Sequence, residues 1–375
     1  MIMNIKEFVK KELTLWISFL LVILSAFASP PSYAYIESSD FRVICLLFCL
    51  MGTVSGFRQT GIFERTANYF LSKVKTEKSV MLVLVMLCFF SSMLITNDVA
   101  LITFVPFAIT ILTKANMRKK LRFVIIMQTI AANLGSMIMP IGNPQNLYLY
   151  SLLNTDIIGF MRITFPYWLV SFIAVCIVTV IFGKGNIERP SSDETLKKDT
   201  KKEIFYFILF FLCILTVAHL IDYRITFLIC IISIAIFDKS ILKMIDYCLL
   251  LTLVCFFIFV GNISVIAPVR EFIASVSNGH EILTSAALSQ IISNVPAAIL
   301  LSGFTEKYAS LIIGVNIGGL GTLIASLASL ISYKFYAAEE KDKRYILEFT
   351  LLNVLFLIIL GITYLLLYAK STLPV

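Results

Sequence analysis

Charge is what this 375-residue chain has least of: 14% of its positions are Asp, Glu, Lys or Arg, where water-soluble domains average about a quarter. So little charge excludes a globule that faces water on all sides. Histidine is nearly missing, with only His219 and His280, both near the ends of apolar segments, so a histidine-rich metal site is excluded. The eight cysteines (Cys45, Cys49, Cys88, Cys176, Cys213, Cys230, Cys248, Cys255) form no CxxC pair and fall inside apolar runs. They read as small hydrophobes, not disulfides or metal ligands. Catalysis inside a membrane needs a nucleophile and a base within reach, and neither histidine sits at a polar interruption, so no enzyme is expected.

What is present is apolar: 59% hydrophobic residues and 31 phenylalanines, the composition of an integral membrane protein. The net charge of +8 lies in short loops between apolar runs, where it orients the chain in a bilayer, and no nucleic-acid partner is expected. Leu13 to Ala28 reads as a first helix running in to out, although Ala26-Phe27-Ala28 has the look of a signal-peptidase site. The loop Ser32 to Asp40 carries no Lys or Arg and is placed outside. Val43 to Phe57 returns inward, and Arg58, Glu64 and Arg65 read as a solvated extension of it. On the resulting map, Arg42, Arg162, Arg224, Arg270, Lys307 and Lys370 are the six of 31 basic residues outside, which puts the N-terminus inside and the C-terminus outside.

Between Lys78 and Lys114 the chain is apolar except for Asp98, at the midpoint of Thr96-Asn97-Asp98-Val99-Ala100. One crossing uses roughly 20 helical residues, so this run reads as a re-entrant hairpin, 79–113, with two arms each short of a full crossing. Ile292-Ser293-Asn294-Val295-Pro296-Ala297 repeats the tip in a second hairpin, 282–305. After each hairpin comes a matching pair, Ala132-Asn133-Leu134-Gly135-Ser136 and Val315-Asn316-Ile317-Gly318-Gly319. Two paired motifs in one order argue for internal duplication. Each pair opens a helix predicted to break: 123–152 at Pro140-Ile141-Gly142-Asn143-Pro144, and 309–333 around Gly319-Leu320-Gly321-Thr322.

The expected fold is therefore an all-α polytopic membrane protein of two inverted-topology repeats, 1–183 and 204–375, joined by a cytoplasmic linker, 184–203. In such folds the solute lies near the midplane, where broken helices point their ends at it. Helix starts at the tips attract anions. Asn and Ser side-chain oxygens and unwound carbonyls suit a small hard cation. The candidate binding residues are Thr96, Asn97, Asp98, Gly142, Asn143, Pro144, Asn146, Ser293, Asn294, Val295, Pro296, Gly319, Gly321, Thr322 and Ser326, with sodium expected at Asn97, Asp98, Asn143 and Asn294. Asp98 reads as cation ligand or proton carrier, since an acid inside a membrane is costly and marks ion pathways. The alternative is a structural acid that accepts backbone N–H bonds at its own helix start. No other cofactor is expected.

At Thr96 to Ala100 with Pro106, Gly142-Asn143-Pro144-Gln145-Asn146, Ser293 to Ala297 and Thr322 to Ser329, the chain resembles the ion transporter superfamily of citrate transporters, divalent-anion/sodium symporters, arsenite pumps and sodium/proton antiporters. The resemblance implies a scaffold, often dimeric, and a transport domain that carries both hairpins and moves like an elevator. It implies secondary active transport of a small anion, a di- or tricarboxylate or an oxyanion, coupled to sodium or protons, or else sodium/proton antiport or arsenite efflux. The symporter branch carries Ser-Asn-Thr at each tip. Here Asp98 and Val295 stand in place of the threonines, which makes the first tip repel a carboxylate unless a cation neutralises it.

Overall fold

The computed structural model describes residues 12–183, 199–340, 342 and 344–369. The segment 184–198, the core of the expected linker, lies outside the described residues, as do the first eleven and last six positions. Among the described residues there is no strand. In chain order the helices are α1 (Leu13–Ala26), α2 (Ala34–Glu37), α3 (Phe41–Gln59), α4 (Ile62–Leu71), α5 (Glu77–Ile95), α6 (Asn97–Lys114), α7 (Leu121–Ser136), α8 (Pro144–Leu152), α9 (Ile157–Ile181), α10 (Thr200–Val217), α11 (Tyr223–Phe237), α12 (Tyr247–Ser264), α13 (Ala267–Ser277), α14 (Glu281–Ile292), α15 (Asn294–Ser302), α16 (Tyr308–Gly318), α17 (Leu327–Glu339) and α18 (Arg344–Ala369). Six of these are long and apolar enough to cross a membrane. The chain is an integral membrane protein.

Both interrupted helices break where expected. The first stops at Ser136, short of Pro140, because a residue before proline is pushed out of the helical region, and it restarts with Pro144 in the first turn, where a missing N–H costs nothing. The second stops at Gly318 and restarts at Leu327, with Gly321 at φ 108 in the gap. The arms of the first tip are longer than the sequence suggested. At 19 and 18 residues, α5 and α6 each reach a crossing length, while α14 and α15 have 12 and 9. The sequence also gave no hint of α13, and α4 is a separate helix because the chain turns at Gly61, φ 68. The solvated reading of its charges is corrected: Arg65 is paired with Glu203 and donates to the Thr60 carbonyl at 2.6 Å, Glu64 has a buried carboxylate oxygen, and Arg58 lines a cavity.

The same contacts occur twice. The tip alignment matches Phe89 with Ala286 and Ser92 with Ser289, and the later motif matches Gly135 with Gly318. A Cβ on Gly135 would lie 2.0 Å from the Phe89 carbonyl oxygen and 2.7 Å from Ser92 Oγ; on Gly318 it would lie 2.7 Å from Ala286 Cα and 2.8 Å from Ser289 Oγ. Each interrupted helix is thus pressed against the first arm of the tip before it by a glycine at the same position. The helices after the breaks are exchanged: α17 packs on α6 and α7, and α8 packs on α15 and α16. Two apolar cores result, one around α5, α6, α7, α9, α17 and α18, the other around α3, α8, α10, α11, α12, α15 and α16. Each core therefore draws helices from both halves.

At the end of α10, Arg42 Nη2 lies 2.7 Å from His219 Nδ1, and the His219 ring sits 5.6 Å from that of Tyr150 on α8. Partial burial and the Arg42 charge hold the imidazole below its usual pKa. The unfolded chain, titrating near 6.5, then takes the proton first. The contribution of neutral His219 is present above about pH 6.5 and lost as pH falls through that value toward the lowered one. Acidification from pH 7.5 to 5 is expected to lower the melting temperature slightly more in the parent than in His219→Gln, since the ring is exposed; equal losses would contradict the contact.

Candidate functional site

The two tips share an unusual backbone. Thr96 has φ 67 and ψ 151 and Ser293 has φ 76 and ψ 157, a region that residues with a Cβ rarely occupy and that costs about 1–3 kcal/mol each. One residue in this conformation reverses the chain between two helices. Neither side chain caps the following helix. Such strain persists only where the surroundings hold it.

Both strained residues face one cavity of about 1200 Å³, whose lining includes Thr96, Asp98, Val99, Pro144, Ile292 and Ser293. Its walls come from α1, α3, α12 and α17 and are mostly apolar, with Glu12, Arg58, Asp246 and Lys334 as the other charged groups. Among the described residues, no donor lies within hydrogen-bonding or ion-pairing distance of the Asp98 carboxylate, and Asp246 carries the same charge in the same lining. The structural-acid alternative is thereby corrected. Asp98 caps nothing; it is its backbone N–H that donates, to Asn97 Oδ1 at 3.0 Å.

Behind the tips lies a buried amide network. Asn97 Nδ2 donates to Asn133 Oδ1 at 2.9 Å, Ser326 Oγ donates to the same oxygen at 3.1 Å, and Asn133 Nδ2 reaches the Gly319 carbonyl at 3.5 Å. A Cβ on Gly319 would lie 3.0 Å from Asn294 Nδ2, so the two tip asparagines flank one point. The second cluster mirrors the first. Asn316 Nδ2 donates to Asn146 Oδ1 at 2.6 Å, and Asn143 Nδ2 donates to Asn316 Oδ1 at 3.3 Å and to Ser136 Oγ at 3.1 Å. Buried amides are stable only when paired in this way, and pairing fixes their positions.

The candidates therefore separate. Thr96, Asp98, Pro144 and Ser293 line the cavity, while Asn97, Asn143, Asn146, Asn294, Gly319 and Ser326 form or abut the network behind it. Gly142 serves close approach, since a Cβ there would lie 2.0 Å from the Ser136 carbonyl. Val295 and Pro296 are buried, Val295 in the apolar core, and Thr322 is exposed. Gly321 lies against Gln290.

Three residues that matter were not on the expected list. Asn133 and Asn316 carry a signal, a repeated asparagine in an apolar helix, which by spacing alone marks duplication and not a role. Gln290 carried none beyond being a lone amide. It donates to the Gly318 and Leu320 carbonyls, both at 2.8 Å, and accepts from the Thr322 N–H at 3.0 Å, which pins the second break to the second tip. In the first half Asn146, on the helix that follows the break, donates toward the Ser136, Met137 and Met139 carbonyls and so ties the two sides of that break together.

The family model described as citrate transporter matches residues 1–309. An uncharacterized transporter of Methanocaldococcus jannaschii is 32% identical over 322 residues, which cover 86% of this chain and 88% of that protein. The inner membrane protein YbiR of Escherichia coli is 26% identical over 298 residues, 79% of this chain and 80% of its own length. The silicon efflux transporter LSI3 of Oryza sativa subsp. japonica is 27% identical over 128 residues, 34% of this chain and 25% of that protein.

Proposed function

Because the chain belongs to the citrate transporter family, we propose that this membrane transporter is a secondary active one, moving a small anion, a di- or tricarboxylate or an oxyanion, across the cytoplasmic membrane with sodium or protons. The observation that carries the reading is that both strained tips line one cavity backed by one amide network. The repeated glycine contacts and exchanged helices support two inverted repeats with re-entrant tips, and a scaffold past which both tips move like an elevator. The charge map supports an inner-membrane protein with its N-terminus inside and C-terminus outside, and the family resemblance suggests a homodimer. On that map Arg58, Asp246 and Lys334 are cytoplasmic, so the cavity faces inward.

A carboxylate without a partner suits a small cation, and the hydroxyl of Thr96 lies in the same lining. Sodium would be held by Asp98, with Asn97 and Asn143 behind it, and would neutralise the charge that otherwise repels an anion. The helix starts offer the anion less than their count suggests. At the second tip the Asn294 N–H is already donated to the Ala325 carbonyl at 3.0 Å, and Pro296 has no N–H.

Uptake of labelled citrate, succinate and arsenite into proteoliposomes, under an imposed sodium or proton gradient, tests the proposal. Concentrative uptake of at least one anion that collapses with the gradient is expected; movement of none overturns it. The unpartnered Asp98 also favours a second reading, sodium/proton antiport or arsenite efflux, which predicts rescue of salt- or arsenite-sensitive cells, lost in Asp98→Asn.

A further inference from the structure

We infer that the duplicated tips have diverged in role: the first holds the transporter's one coupling sodium ion, at Asp98, and the second is a closed clasp that binds none. The inference rests on the transport reading above and deepens it. Equivalent positions carry Thr96 and Ser293, Asn97 and Asn294, Asp98 and Val295, Val99 and Pro296. Their backbones match and their chemistry does not.

At the first tip the carboxylate stands at the cavity surface with no donor of the described protein against it, facing the charges of Asp246, Arg58, Lys334 and Glu12 across the lining. An anionic oxygen beside a threonine hydroxyl is a hard donor set, which matches a small hard cation and compensates its charge.

At the second tip the corresponding side chain is that of Val295, buried in the apolar core. The oxygens around it are already committed. Ala325 O accepts from the Asn294 N–H at 3.0 Å and from Ser293 Oγ at 3.4 Å, and Gly318 O and Leu320 O accept from Gln290. With no carboxylate, its carbonyls accepting from protein donors and the Ser293 hydroxyl turned toward Ala325 O, this tip offers a cation no charge to compensate its own. Gln290 and Ala325 hold it shut, fixing the second break to the second tip as one rigid body.

The test is equilibrium binding of radioactive sodium to the purified full chain in detergent, counted per chain. The expected result is a single saturable site, lost in Asp98→Asn and retained in Ser293→Ala, with each variant eluting as a monodisperse peak. If Asp98→Asn does not fold, Asp98→Glu serves instead, with weakened affinity at an unchanged count. Two ions per chain, a sigmoid curve, or binding that survives Asp98→Asn overturns the inference and leaves the transport reading standing. Absence of sodium binding overturns it as well, and proton-driven anion uptake then decides the transport reading separately.

Discussion

Gly135→Ala is expected to remove most folded protein from solubilised membranes, or to lower its melting temperature far more than any other single added methyl group tested beside it. The added carbon would lie 2.0 Å from the Phe89 carbonyl oxygen and 2.8 Å from its carbon. Both are backbone atoms that cannot rotate aside, so α5 and α7 must separate along their whole contact. Overpacking a close-packed interior costs about 1–3 kcal/mol, and here the cost includes the strained tip that α5 leads into. Gly318→Ala, 2.7 Å from Ala286 Cα, is expected to cost less. Gly361→Ala, with open space around it on α18, is expected to be neutral or slightly stabilising, since alanine is favoured over glycine in a helix by about 1 kcal/mol. Retained monodisperse peak after heating gives the ranking, and a Gly135→Ala protein as resistant as Gly361→Ala would refute the close approach.

Asn133→Ala is expected to lower transport at least tenfold while leaving membrane insertion intact. The side chain accepts from Asn97 Nδ2 and Ser326 Oγ and donates toward the Gly319 carbonyl, so it joins the first tip to the second break. Truncation leaves buried groups without partners, at about 1–3 kcal/mol each. The loss is also directional, because the Asn97 amide then loses the acceptor that fixes it behind the first tip. Asn133→Asp keeps the acceptor and is expected to retain more activity than the alanine variant if the site is occupied by a cation. Full-rate transport by Asn133→Ala would mean that the network is only structural.

Much of this arrangement is legible in the sequence because polar residues inside long apolar runs have few uses. The sequence alone pairs Asn97 with Asn294, and the break at Pro140 with that at Gly321. The physical reason is that a bilayer punishes an interrupted helix, so an interruption that appears twice is a retained feature. What escaped is what spacing does not encode. Whether Asp98 caps its own helix or looks into a cavity depends on a backbone reversal at Thr96, a residue type that gives no warning of a positive φ. The division of the candidates into a lining and a supporting layer of asparagines depends on α8 and α17 crossing to the other half, a long-range choice made by packing. Gln290 is in sequence a single amide in an apolar arm, and only the fold brings the carbonyls of the second break around it.

The central claim is that both tips serve one cavity. Its most direct test places a cysteine at Thr96 or at Ser293, in a chain whose eight native cysteines are replaced, and follows labelling by a membrane-impermeant thiol reagent in oriented vesicles. Both positions are predicted to react from the cytoplasmic side and to be protected together by whichever anion the uptake assay identifies. Labelling of the two positions from opposite faces, with no common protection, would contradict the account.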